Sequence, residues 1–133
     1  MLDTVYAIIQ LVHNIGASTT FAASGYVALG YAGNRPEHYR ILAFWLSFGW
    51  LIQVLTGFSF GLASHYLRGE IPDIGGVALI ALIVKIISAA VGLLLGLWLW
   101  RSPNGPRRGQ LFKIEWALSI TALGAAAFLR WFL

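Results

Sequence analysis

Three ionisable side chains lie inside long apolar stretches of this chain: His13, Lys85 and Glu115. His65, Arg68 and Arg130 lie near the ends of such stretches. A neutral imidazole offers one nitrogen lone pair to a metal or a haem iron, and a neutral amine offers another. The same pair can also relay a proton. A charged lysine near mid-bilayer costs about 3 kcal/mol or more unless it finds a partner or water. Lys85 is therefore expected to face the protein interior, with His13 as its neighbour. Two like charges would repel there, so at least one of the two must be neutral.

The bland readings of these residues are also physical. An intramembrane histidine often serves as a helix–helix hydrogen-bond donor. A lysine can reach a carbonyl or a wet cleft. His65 near a helix end and His38 in a loop need no special role.

The elements that must carry these groups are apolar segments of bilayer length, about 20 residues or more. Four emerge: residues 4–32, 41–67, 75–100 and 110–132. Gly33-Asn34-Arg35-Pro36, the 68–73 stretch and Ser102-Pro103-Asn104-Gly105-Pro106 separate them with turn chemistry. Such short loops join antiparallel neighbours. The expected fold is all-α: a single-domain integral membrane up-down-up-down bundle of four transmembrane helices. The first segment has an unusual run of small residues after His13, from Gly16 through Gly25. Small side chains let a neighbouring helix or a flat ligand approach the backbone. Small-xxx-small pairs recur at Gly57/Gly61, Gly92/Gly96 and Ala122/Ala126, which read as packing faces.

Composition agrees with a membrane location. The 133 residues are 59% hydrophobic and only 11% charged, where soluble domains carry roughly 25% charged residues. The net charge is +4, but the basic residues sit at helix ends and in loops. Lipid headgroups explain them, and no nucleic-acid partner is implied. There is no cysteine, hence no disulfide and no thiolate site. Asp3 stands where a signal peptide would be basic, so the first segment reads as a retained helix.

Call the face that carries both termini A, and the other B. Face B collects Arg35, Arg40, Arg101, Arg107, Arg108 and Lys113; face A has Arg68 and Arg130. The positive-inside rule puts B in the cytoplasm and both termini outside, as in a bacterial inner membrane. Trp98, Trp100 and Tyr39 fit an aromatic belt at B, with Tyr66 and Trp131 at A. At about 1.5 Å per residue, His13 lies roughly 14 Å and Lys85 roughly 15 Å below face A, and His65 only about 4 Å. Glu115 lies within about 8 Å of face B and is expected to face Lys113 or the basic loop.

These features resemble the four-helix membrane domain of the CopD copper-resistance family and its relatives, which include the HemJ-type protoporphyrinogen oxidases. The matching residues are His13-Asn14-Ile15-Gly16-Ala17 on the first helix and Arg40 with Leu55-Thr56-Gly57 on the second. Ile83-Val84-Lys85-Ile86 on the third and Arg107-Arg108, Lys113 and Glu115 on the fourth complete them. The resemblance implies a haem b held by His13 and Lys85, in a membrane redox or electron-transfer protein. His65 is a further candidate axial ligand, and Arg68 and Arg130 would hold propionates through charge-assisted bonds.

Two other functions compete. Copper handling would use His13 and His65 as an outer-face metal site, although Cu(I) prefers the sulfur ligands this chain lacks apart from Met1. A non-catalytic subunit would dock on a larger membrane redox complex or on a second copy. A hydrolase is excluded, since the five acidic residues are scattered over both faces. If the chain is an enzyme, an oxidoreductase is the fitting class. No helix carries the full-length polar stripe of a channel.

Overall fold

The computed structural model describes residues 2–69 and 73–132, with the side chains of Leu2 and Arg68 outside the described set. Among these residues it is all-helical, with no strand. The helices are α1 (Leu2–Ala28), α2 (Pro36–Arg68), α3 (Gly76–Arg101) and α4 (Arg108–Phe132).

The first helix ends four residues earlier than the sequence reading places it. Gly30 adopts φ +87°, and the next amide closes back on the helix. Tyr31 N–H donates to the Tyr26 carbonyl at 3.0 Å and Gly30 N–H to that of Val27 at 2.9 Å. This is a glycine-capped Schellman end, which satisfies the last carbonyls of α1. Pro36, expected only to stop α1, instead opens α2 at its first turn. There its fixed φ suits the helix and its missing N–H costs nothing. Arg40 therefore lies inside α2 rather than ahead of it.

Among the described residues, three helices are long and apolar enough to cross a membrane: Pro36–Leu67, Gly76–Arg101 and Arg108–Phe132. α1 has the length, 27 residues, but not the hydropathy. Gln10, His13, Asn14, Ser18, Thr19, Thr20 and Ser24 dilute its apolar content.

Pairs of touching residues give the packing. Tyr6 meets Ser64 and His13 meets Thr56, so α1 and α2 run antiparallel. Gly92 lies against Trp50 and Gly96 against Ser47, which makes α3 antiparallel to α2. Ser24 meets Ser119 and Gly25 meets Trp116, which sets α4 antiparallel to α1. Each helix packs on its neighbours in a closed ring of four, α1 on α2, α2 on α3, α3 on α4 and α4 on α1. The diagonal pairs meet only through side chains.

The interior is divided. Toward the α1–α2 and α3–α4 turns, a contiguous cluster buries Tyr39, Leu46, Trp50, Leu99 and Phe112 among alanines. Toward the other end the buried side chains are small or polar: His13, Gln53, Thr56, Ala63, Ala78, Ala81 and Ala125. The outer surface shows the reverse, with Ile8, Leu11, Leu55, Phe58, Ile80 and Leu94 all exposed. Polar groups inside and aliphatic groups outside suit a lipid solvent.

Two sequence expectations about packing change. Gly57 and Gly61 do not form a close helix contact, because an added Cβ at either would meet nothing within 4 Å. The tight crossings use Gly16 with Gly49 and Gly92 with Trp50 instead. Tyr39 is not a belt residue. It is buried, its hydroxyl donates to the Gly33 carbonyl at 2.9 Å, and the Arg108 guanidinium stacks on its ring at 3.9 Å. A phenol whose hydroxyl can be satisfied inside need not seek the interface.

Candidate functional site

His13 projects from α1 into the seam with α2 and is 5% exposed. Its Nδ1 lies 2.6 Å from Thr56 Oγ1. Thr56 spends its own hydroxyl hydrogen on the Ile52 carbonyl at 2.5 Å. A hydroxyl has one hydrogen, so toward His13 it can only accept. His13 Nδ1 is therefore the protonated nitrogen, and Nε2 keeps a lone pair. This assignment follows from the hydrogen-bond network. Phe60 stands edge-on to the ring at 5.9 Å, and Gln53 Nε2 donates to the His13 backbone carbonyl. Together Thr56, Phe60 and Gln53 fix the ring from one face of α2. They recur with Ser47 and Trp50 at steps of three or four, a helical stripe visible in the sequence that points to this face.

Lys85 on α3 is half-buried. Followed back from Gly92 beside Trp50, the antiparallel register sets it level with positions 57–58 of α2, one turn or less from Thr56. α1 and α3 are diagonal partners without direct backbone packing, so His13 and Lys85 stand at a similar level on opposite helices of the ring.

The other candidates lie elsewhere. His65 is exposed beside Tyr66, at 5.2 Å between ring centres. It stands nine residues beyond Thr56, about 13 Å further along α2. Arg130 is exposed on α4. The Arg68 side chain lies outside the described residues. Among the described residues no three His, Cys, Asp or Glu side chains gather as a metal-binding group.

Glu115 departs most from expectation. It does not face Lys113, which is exposed, or the basic loop. It is 0% exposed, and its Oε2 accepts from Trp50 Nε1 at 2.7 Å. Its backbone carbonyl accepts from Ser119 Oγ at 2.9 Å. Oε1 has no hydrogen-bond partner among the described residues. The helical turn decides this. Phe112, Glu115, Ser119 and Ala122 share the inward stripe of α4, while Lys113 points outward. The indole N–H of Trp116, one residue on, is likewise buried, has no hydrogen-bond partner among the described residues and packs against Gly25.

No family model, curated protein or solved structure matches this chain.

Proposed function

We propose that this protein is a haem b-binding integral membrane redox protein of the CopD/HemJ-like type. One observation carries the reading. His13 is a buried imidazole whose Nδ1 is held by Thr56 Oγ1 and whose Nε2 has no hydrogen-bond partner among the described residues. Histidines that ligate metals are oriented in this way by an acceptor on the other ring nitrogen.

The donor set fits the group. His13 Nε2 and the Lys85 amine, at matching levels on α1 and α3, are the residues that would hold the iron. The small buried side chains at that end, alanines on α2, α3 and α4, suit a flat ligand more than a packed aliphatic core. Arg130 would meet propionates from the rim. A bound haem would supply one-electron chemistry at its iron. The chain's own residues orient the ring, hold the Nδ1 proton on Thr56 and keep bulk water from His13.

In this reading the four helices cross the membrane as an up-down-up-down bundle, with face B cytoplasmic and both termini outside. Inverted polarity and the basic residues at face B support that placement.

The test is a visible spectrum of detergent-purified protein after haem supplementation. A Soret band that is lost in His13→Ala and altered in Lys85→Ala is expected. A protein without a Soret band overturns the reading.

A second reading rests on the outer face of α1. Gln10 Nε2 donates to Asn14 Oδ1 at 2.8 Å on the exposed side, next to Ser18 and Thr19 along a shallow groove. Amides facing lipid favour a partner helix, which supports membership of a larger membrane complex or a homo-oligomer. Co-purification or cross-linking in mild detergent tests it.

A further inference from the structure

The Glu115 centre lies far from His13. Ser24 pairs with Ser119, and Glu115 is one turn nearer face B than Ser119. His13 is 11 residues before Ser24, so the two groups stand about 20 Å apart along the bundle. The reading above gives Glu115 no task.

Its surroundings define a charge problem. The carboxyl is 0% exposed and receives one hydrogen bond, from a neutral indole. Titratable groups on the helices around it are otherwise engaged or turned away. On α2, Tyr39 gives its hydroxyl to Gly33 and His38 lies at the rim. On α4, Arg108 stacks on Tyr39 and donates to the Pro103 carbonyl, and Lys113 is exposed. On α3, Arg101 is exposed. On α1 the nearby groups are Ser24, Val27 and Ala23, none of them titratable. No described cation forms an ion pair with Glu115. An isolated carboxylate in such a site is costly by several kcal/mol, so the site favours a bound positive partner.

We propose that the Glu115–Trp50 centre is an intramembrane proton-binding site on the cytoplasmic-facing half of the bundle. Oε2 keeps the Trp50 indole N–H in both states. Uptake of a proton forms one O–H bond at Oε1, the oxygen that has no partner among the described residues. Release returns that proton to water and leaves the carboxylate. The ligand is the proton, and the site stands whether or not His13 holds a cofactor.

The experiment is infrared spectroscopy of the full chain in detergent or lipid at neutral pH, without added haem. Glutamate carrying a carbon isotope at the side-chain carboxyl restricts the signal to Glu37, Glu70 and Glu115. A protonated-acid carbonyl band is expected, shifted in heavy water and absent in Glu115→Gln. Trp50→Phe should shift that band to higher frequency, because the Oε2 hydrogen bond is gone; an unshifted band would assign the proton to another glutamate. A labelled wild-type spectrum with only ionised carboxylate bands overturns the proposal, even if both variants fail to fold. Carboxylate bands that respond to sodium or potassium also overturn it, in favour of a metal-cation site.

Discussion

Trp50 and Glu115 are joined through the centre of the bundle, indole Nε1 to carboxyl Oε2, at 2.7 Å. Their helices, α2 and α4, lie diagonally and have no direct backbone packing. The bond therefore ties opposite corners of the ring. Trp50 also fills the space left by Gly92 on α3, so one side chain links three helices.

Removing the indole donor leaves Oε2 buried and unpaired. Trp50→Phe should destabilise the protein by about 1–3 kcal/mol, the usual cost of an unsatisfied buried polar group. Glu115→Leu in the same background should recover part of that loss, because both polar partners are then gone. Thermal unfolding in a fixed detergent, read as a double-mutant cycle, gives the coupling. Additive losses would mean the pair does not interact in solution.

The glycines separate by role. An alanine at Gly92 would overlap the Trp50 ring, and one at Gly49 would stand 2.8 Å from Thr20 Cγ2. Each should cost about 1–3 kcal/mol through overpacking. Gly57→Ala meets open space and should be neutral or stabilising by up to about 1 kcal/mol through helix propensity. Unfolding midpoints of the three variants check the order. Equal losses at Gly57 and Gly92 would contradict the packing.

Thr56 is a positioning residue for His13. Thr56→Val keeps the shape and deletes the acceptor for Nδ1–H. Haem affinity, followed by Soret titration, should fall by about 10–100-fold, the range for losing a partner that orients a metal ligand. Thr56→Ser keeps the hydroxyl and should stay close to wild type. An unchanged titration in Thr56→Val would remove Thr56 from the site.

The amides on α1 should govern association rather than folding. Replacing Gln10 and Asn14 together by leucine removes the outward polar pair seen at 2.8 Å. Cross-linked or co-purifying species should diminish while helical content by circular dichroism is kept. Assemblies of unchanged size would assign the interface to another face.

Much of the architecture is legible in the order of residues. Long apolar stretches, broken by Gly33–Pro36 and by Ser102–Pro106, specify helices and turns because backbone groups without water must bond within their own segment. Small residues along α1 announced a close crossing, and the depth of His13 and Lys85 along their helices follows from a constant rise per residue. Facing is another matter. Lys113 and Glu115 are two residues apart, yet one is exposed and the other fully buried. Gly57/Gly61 and Gly92/Gly96 have the same spacing, yet only the second pair meets a neighbour. Lipid-facing residues are apolar and inward-facing ones mix apolar, small and polar types, so the contrast that marks a helix's rotation is weak. That rotation is set by which side chains interlock across the seams. Hence the Thr56 anchor of His13 and the Trp50 donor to Glu115 became visible only once four helices had closed on one another.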